Sequence, residues 1–244
     1  MKQKAYSALA SVYEDFIDKA ILDKWSDYLL SLLSTYSHGK SGLDVACGSG
    51  IFTRLEAENG YNVTGIDISE EMLISAQEKA TEKKLNIAFL LEDMTKLSSF
   101  QKVDFITVVN DGLNYIEPQK RVKTFKNFYR CLKKDGVLLF DFSTKYKLEN
   151  VIGNNFFAED TESCSYLWFN KLFPDKVEMD LSVFKKQENG LYEKKEEKHT
   201  QYIISPNVII SELESCSFTV FSENFLGGKV REDSQRIQII AIKK

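Results

Sequence analysis

Cysteine and histidine are scarce in this chain, with 4 Cys and 2 His in 244 residues. The cysteines, at 47, 131, 164 and 216, form no C-x-x-C pair, and the histidines stand apart at 38 and 199. That is too few and too scattered for zinc, so no metal site is expected. Cysteines spread singly through strand and helix patterns point to free thiols in a reducing compartment. No apolar run approaches the roughly 18 residues of a membrane span. The opening Met1-Lys2-Gln3-Lys4 leads toward Glu14, Asp15 and Asp18 without the apolar stretch of a secretory signal, so a cytoplasmic protein away from membranes is expected. A basic half is also missing: 32 Lys and Arg face 36 Asp and Glu, for a net charge of −4. This argues against DNA, which needs clustered cations, and leaves open a structured RNA reached through a local patch. What remains is an ordinary globular composition, 43% hydrophobic and 28% charged, sufficient for one full core and a smaller sub-domain.

The chain is organised around Gly42-Leu43-Asp44-Val45-Ala46-Cys47-Gly48-Ser49-Gly50. Leu43, Val45 and Ala46 continue a short apolar strand, the glycines break it, and Ile51, Phe52 and Leu55 open a helical pattern. A strand, a glycine turn and a helix start let bare backbone approach a ligand. About twenty residues on, the apolar run Tyr61–Ile66 ends in Asp67, a carboxylate at a strand tip that can accept both hydroxyls of a ribose. Turn plus acid reads as a nucleoside site; the alternative is a plain structural corner. The dinucleotide pattern G-x-G-x-x-G is incomplete, with only Gly48 and Gly50 in place and Thr53 third. Asp44, just before the glycines, is unfavourable to a pyrophosphate.

The rest of the chain follows one rhythm and then another. Apolar residues at helical spacing predict helices over 3–18 (Tyr6, Leu9, Ala10, Tyr13, Ile17) and 20–36 (Trp25, Tyr28, Leu29, Leu32, Leu33). Ser69 is a good N-cap for the helix after Asp67. Strands are expected at Ile87–Leu91, Val103–Val109 and Val137–Phe142, with a helix from Pro118 to about Leu132 and a turn at Lys133–Gly136. Alternation of strand and helix implies a parallel, doubly wound sheet. From about residue 164 aromatic strands and the Asn189-Gly190 hairpin signal predict an antiparallel insert. The expected division is a core of 1–157 and 206–244 and an insert of 158–205. Glu193–Lys198 reads as a solvated strand face or edge. A helix from Ser205-Pro206 to Ser215 and strands at Phe218–Phe225 and Arg236–Ile242 complete the core.

The Gly42–Gly50 stretch resembles motif I of the class I S-adenosylmethionine-dependent methyltransferases, Asp/Glu-x-Gly-x-Gly-x-Gly, departing from it at Ala46. Further landmarks follow in the family's order: Tyr6–Asp15 resembles its Ala-x-x-Tyr-Asp opening, with Glu14 where Asp is usual, Asp67–Leu73 resembles Asp-x-Ser-x-x-Met-Leu, and Leu132–Leu138 matches Leu-Lys-x-x-Gly-Val-Leu. The resemblance implies a Rossmann-like, doubly wound, mostly parallel seven-stranded sheet with an antiparallel last strand, plus a small antiparallel β insert acting as a lid or homodimer contact. It implies S-adenosylmethionine as cofactor, held by Tyr13, Asp44, Ala46, Cys47, Gly48, Gly50, Asp67, Ile68, Met72, Asp93, Met94 and Asn110. In this scheme Ile68 walls the adenine, Asp93 and Met94 meet its amino group and ring, and Tyr13 reaches the methionyl end. Structural alternatives stand beside several of these: Tyr13 as packing, Met72 as a helix-to-sheet contact, Asp93 as a turn cap.

In the resembled family the segment Asn110-Asp111-Gly112-Leu113-Asn114-Tyr115 faces the transferred methyl. It lacks the Asn/Asp-Pro-Pro-Tyr of enzymes that methylate DNA bases or planar amides, which favours a small-molecule acceptor. Asn110, Asp111, Asn114 and Tyr115 are the polar groups placed to meet it, or else a glycine turn making local bonds. Both histidines fall outside the expected site. Asp111 is the candidate base, with Tyr115 and Tyr13 orienting the acceptor, and Arg236 is expected to be structural. The likeness is closest to amino-sugar N-methyltransferases, and an acidic, aromatic site suits an amine. Two rivals are a nicotinamide-dependent oxidoreductase and a non-catalytic module that binds the nucleoside as a scaffold or RNA partner.

Overall fold

The computed structural model describes residue 10, residues 13–97 and residues 101–244, the Asp15 side chain apart. Tyr6 and Leu9 of the expected first helix lie outside the described residues. The described part of that segment is a single 3-10 turn, Tyr13–Phe16, followed by helix α1, Lys19–Tyr36. The break falls at Asp18, whose extended backbone and carboxylate cap α1 by accepting from the amides of Ala20 at 2.8 Å and Ile21 at 3.3 Å. A side-chain cap of this kind ends one element and starts the next.

Strands and helices then alternate: β1 (Ser41–Val45), α2 (Ile51–Glu58), β2 (Asn62–Asp67), α3 (Glu70–Glu82), β3 (Ala88–Leu91), β4 (Val103–Val108), α4 (Pro118–Cys131) and β5 (Leu132–Ser143). After the second sheet, with strands β6 (Phe156–Asp160), β7 (Cys164–Leu172), β8 (Lys176–Lys186) and β9 (Tyr192–Tyr202), come α5 (Pro206–Ser215), β10 (Phe218–Asn224) and β11 (Arg236–Lys243). The main sheet has the order β10-β11-β5-β4-β1-β2-β3. All neighbours run parallel except β11, which is antiparallel to β5 and to β10. This is the seven-stranded architecture expected from the sequence.

Strand β4 sits next to β1 and is buried on both faces through Phe105, Ile106 and Val108, as its unbroken apolar run requires. On one side of the sheet Leu43, Ile66 and Ile106 meet Phe125 and Phe128 of α4. On the other, Phe105 and Leu139 meet Trp25, Leu29 and Leu33 of α1. Removing a side chain of this size from water contributes about 1.5–3 kcal/mol. From β1 the chain winds outward to β2 and β3, and then returns to β4 and β5 on the other side. The reversal leaves a crevice at the C-terminal ends of β1 and β4, where open α/β sheets place their ligands.

Two local expectations differ. The turn expected at Lys133–Gly136 is absorbed into β5 as a bulge: pairing jumps from Val103–Leu132 to Phe105–Val137, with Asp135 left-handed at φ 60°. The second sheet, β6-β7-β8-β9, begins at Phe156, two residues ahead of the expected boundary, and includes a strand that periodicity did not reveal. Every residue of β6 is exposed, so an edge strand of this kind has no inward face to imprint a two-residue alternation. One face of this sheet closes over Tyr13 and Phe16 through Tyr166, Trp168, Leu181 and Val183. No helix among the described residues is long and apolar enough to cross a membrane.

Candidate active site

A cavity of ≈ 700 Å³ occupies the crevice, within the usual range for a small-molecule site. Its floor is the turn after β1, the tip of β2 and the tip of β4. Its roof is the segment from Tyr13 to Trp25. Tyr13, Asp44, Ala46, Cys47, Gly48, Asp67, Ile68, Met72, Met94, Asn110 and Tyr115 all line it, so the structure brings most of the sequence candidates to one place. Gly50, Asp93 and Asp111 do not line it.

The turn after β1 is built from left-handed residues: Ala46 at φ 58°, Gly48 at 55° and Gly50 at 77°. Only glycine adopts this conformation without cost, which explains why glycine is the usual residue at the place of Ala46; the methyl costs about 1–2 kcal/mol. Asp67 fastens the turn to β2. Its Oδ2 accepts from the Gly48 amide at 2.9 Å and its Oδ1 from the Ser69 amide at 2.8 Å. Burial nevertheless pushes the Asp67 carboxyl above its ordinary value.

Asp44 lies beneath the turn and accepts from Thr53 Oγ1 at 2.5 Å and Thr107 Oγ1 at 3.4 Å. Thr107 also donates to Glu56, at 2.9 Å. Burial raises Asp44 to about 7, and burial together with the Asp44 charge raises Glu56 well above the carboxylate range. The same burial, with Asp44 and Asp67 nearby, holds the Cys47 thiol protonated. Glu56 was not anticipated, since nothing in its local pattern marks a carboxyl buried under a helix.

At the other end, Asn110 Nδ2 donates to Tyr13 Oη at 2.7 Å, joining roof to floor. Burial and the neighbouring Asp111 charge push the Tyr13 phenol up to about 12. Asn110 and Asp111 are both left-handed, at φ 65° and 64°, and their amides donate to Asp141 at 2.7 and 3.2 Å. This geometry turns Asp111 away from the cavity. Its carboxylate meets Ser143 Oγ at 2.8 Å, Arg236 at 2.8 Å and Lys147 at 3.6 Å. Burial alone would raise Asp111, but Arg236 and Lys147 hold it below its ordinary value. Arg236 also binds Asp141 and lies 4.7 Å from the Trp25 ring centroid. Asn114 is a buried staple, donating to the carbonyls of Ser143 at 3.0 Å and Tyr202 at 3.1 Å.

Asp93 caps its own turn, accepting from the Thr95 amide at 2.9 Å and hydroxyl at 2.8 Å; with the Lys96 charge these outweigh burial and keep it ionised. One contribution was not foreseen. Glu14 reaches from the roof to Ser49 at 2.6 Å, Arg54 at 3.0 Å and Lys79 at 2.9 Å. His199, expected outside the site, lies behind Tyr115 with ring centroids 6.2 Å apart, its Nε2 2.9 Å from Glu197. Among the described residues, no group of three His, Cys, Asp or Glu is arranged to hold a metal ion.

Comparison with known proteins adds a second line. The profile of a family described as a methyltransferase domain matches residues 43–136. A protein of Geobacillus sp. (strain WCH70), carried under a methyltransferase name, is 33% identical over 98% of this chain and 99% of its own. The crystal structure of an S-adenosylmethionine-dependent methyltransferase from Clostridium acetobutylicum ATCC 824 superposes with a TM-score of 0.86 at 28% identity, over 96% of both chains. The sugar N-methyltransferase KedS8 from Streptoalloteichus sp. ATCC 53650 superposes at 0.76 over 100% of this chain and 97% of its own. At 14% identity that likeness concerns the fold alone.

Proposed function

Since the chain belongs to the class I S-adenosylmethionine-dependent methyltransferases, we propose that it methylates a small acceptor bearing an amine, held between the tip of β4 and the roof. The observation that carries this reading is the charge of the cavity wall. Asp18, Asp44 and Asp67 line it, and no Lys, Arg or His does among the described residues. Asp18 is taken by the α1 cap and the other two acids by the cofactor end, so what decides is the missing cation: a phosphorylated or carboxylate acceptor would be desolvated there with no counter-charge, whereas a neutral amine would not.

The residues fit the cofactor. Asp67 uses one position on each oxygen for backbone amides and keeps acceptor capacity on both, as a ribose diol requires. We assign Ile68, Met72 and Met94 to the adenine slot, Ala46 to Gly48 to the methionyl backbone, Asp44 to its ammonium, and Tyr13 and Asn110 to the methyl end. Both Thr95 bonds fall on Asp93 Oδ1, which leaves its Oδ2, 3.4 Å from Lys96, with acceptor capacity for the adenine amino group. The bound cofactor supplies a methyl already activated by its sulfonium. What the chain must add is alignment and the exclusion of water. The roof excludes water. Tyr13, kept protonated, orients the acceptor with Tyr115 and Asn110 rather than deprotonating it. Asp111 serves the site by fixing Arg236 and the β4 tip, so no carboxylate base is assigned there. The insert closes the acceptor end, and its free β6 edge with exposed Phe156 and Phe157 is the proposed contact for a homodimer.

The test is transfer of a labelled methyl from S-adenosylmethionine to a panel of amino sugars, simple amines, phosphorylated sugars and carboxylic acids. Transfer confined to amines is expected. Transfer to the anionic acceptors would overturn the reading. So would binding without any transfer, or calorimetric heat from a nicotinamide dinucleotide in place of S-adenosylhomocysteine.

A further inference from the structure

Residues 118–134 carry seven basic side chains and no acidic one, in a chain of net charge −4. Helix α4 buries Thr124, Phe125, Phe128 and Cys131, so Lys123, Lys126 and Arg130, at i, i+3 and i+7, share its exposed face. Lys120, Arg121 and Lys133 are paired with Glu117, Glu212 and Asp104. Lys123, Lys126, Arg130 and Lys134 have no ion pair among the described residues.

The fold enlarges this ridge with residues remote in sequence. The starts of β4 and β5 meet at Val103 and Leu132, and antiparallel β11 ends beside them. Tyr129 Oη donates to the Lys244 carbonyl at 3.0 Å, and Lys243 Nζ donates to the carbonyls of Tyr129 at 2.7 Å and Leu132 at 2.8 Å. Exposed Lys102 and Lys244 therefore flank the end of α4. Burial, and then the charge of Lys102, lowers the Lys243 pKa, as like charges gathered at one edge must.

Helix stability does not explain the pattern. Cations complement the carbonyl end of a helix, which covers Arg130, Lys133 and Lys134. Lys123 and Lys126 stand further back, where like charges three apart cost a few tenths of a kcal/mol, about 0.2–0.5. The ridge also has no large exposed apolar side chain to enter a lipid layer, which favours a polyanion in water over a membrane.

We propose that the α4 ridge, Lys123, Lys126 and Arg130 extended by Lys134, Lys102 and Lys244, docks the phosphodiester backbone of a folded RNA, which a local patch on a chain of net charge −4 can meet where an extended DNA duplex would be repelled. The extension lies at the sheet edge opposite the cavity, so this contact anchors the protein and does not present the methyl acceptor. It reads backbone charge rather than sequence, since the ridge offers cations and its half-buried Tyr129 is engaged by Lys243 and Phe218 instead of presenting a face for stacking bases.

The experiment is fluorescence anisotropy of the full chain with a labelled RNA hairpin and with a DNA duplex of matching sequence, between about 50 and about 200 mM salt. Binding on the order of 10⁻⁶–10⁻⁴ M is expected, with log K falling against log salt at a slope of about −3 to −5 for four to six phosphates. Tighter binding to the hairpin than to the duplex is expected, and tighter binding to the duplex would overturn the proposal. K123E/K126E/R130E should weaken binding more than tenfold and flatten the slope by about 3, while K123Q/K126Q/R130Q lies between. Unchanged calorimetric binding of S-adenosylhomocysteine and an unchanged melting temperature show that the variants fold. No binding at the lowest salt, binding indifferent to the triple reversal, or binding only to phosphatidylserine vesicles would each overturn the proposal.

Discussion

Removing the Glu14 carboxylate should open the roof. Glu14 ties Tyr13–Phe16 to the turn and helices beneath it, through Ser49, Arg54 and Lys79. Arg54 is 7% exposed at its side chain and Glu14 27%, so the contact is partly screened. A hydrogen bond to a charged group contributes about 1.5–3 kcal/mol; discounting for exposure leaves about 2 kcal/mol for the latch. In the proposed site the cofactor lies under the roof, so apparent affinity should fall with the closed fraction. If closure is marginal, 2 kcal/mol corresponds to a loss of up to about 30-fold. Calorimetry of Glu14→Ala with S-adenosylhomocysteine measures it, with Glu14→Gln expected between wild type and Ala. The pH dependence has a fixed sign. Burial would raise Glu14, but its partners hold it below the ordinary 4.5, so the latch is complete above that value and is lost only as pH falls through the lowered one. Affinity within twofold of wild type, together with unchanged proteolysis of the roof, would refute the latch.

Asp67→Ala removes the acceptor for two backbone amides and, in the proposed site, for the ribose. Affinity for S-adenosylhomocysteine should fall about 100-fold, as two bonds of about 1–1.5 kcal/mol each imply, and a change under threefold in calorimetry would contradict it. Asp44 has its carboxyl raised by burial from 3.8 to about 7, so its protonated form favours the fold below the unfolded value and this contribution is lost as pH rises through about 7. Asp44→Asn should therefore flatten the thermal stability profile between about pH 4 and 8, an effect on the order of 1–4 kcal/mol; a profile parallel to wild type argues against it. Asn114→Ala leaves the Ser143 amide, which donates to Asn114 Oδ1 at 2.9 Å, and the carbonyls of Ser143 and Tyr202 without their Asn114 partner and should cost about 2–4 kcal/mol in denaturant unfolding; a cost below about 0.5 kcal/mol would show that the staple is not needed.

Much of the cofactor end was legible because its signals are local. Left-handed glycines at Gly48 and Gly50, an acid ending β2 at Asp67, and Ser69 capping α3 each declare themselves within a few residues. The sheet order followed from strand-helix alternation for the same reason. What stayed hidden depends on partners far along the chain. Asp111 is oriented by Arg236, 125 residues later, and His199 reaches Tyr115 only because β9 folds back over the crevice. Glu56 is buried beside Asp44 by the packing of α2 on the sheet. The α4 ridge, a run without acids, went unread because the net charge of −4 averages it away. Its extension to Lys102 and Lys244 required the meeting of β4, β5 and β11.

The tip of β4 shows why a correct strand boundary did not fix where Asp111 points. Two consecutive non-glycine residues in the left-handed region cost about 1–3 kcal/mol each, and both are held by the amide bonds to Asp141. An extended continuation of β4 would alternate its side chains and leave the position of Asp111 free to face the crevice. The left-handed pair instead presents Asn110 to Tyr13 and turns Asp111 to Arg236. The wall nearest the proposed methyl end is thus a neutral amide and a protonated phenol. That suits the chemistry, because a carboxylate there would favour the cationic cofactor more in the ground state than in a transition state whose charge has moved toward the acceptor. The strain at Asn110 and Asp111 places a neutral group where sequence alone suggested an acid.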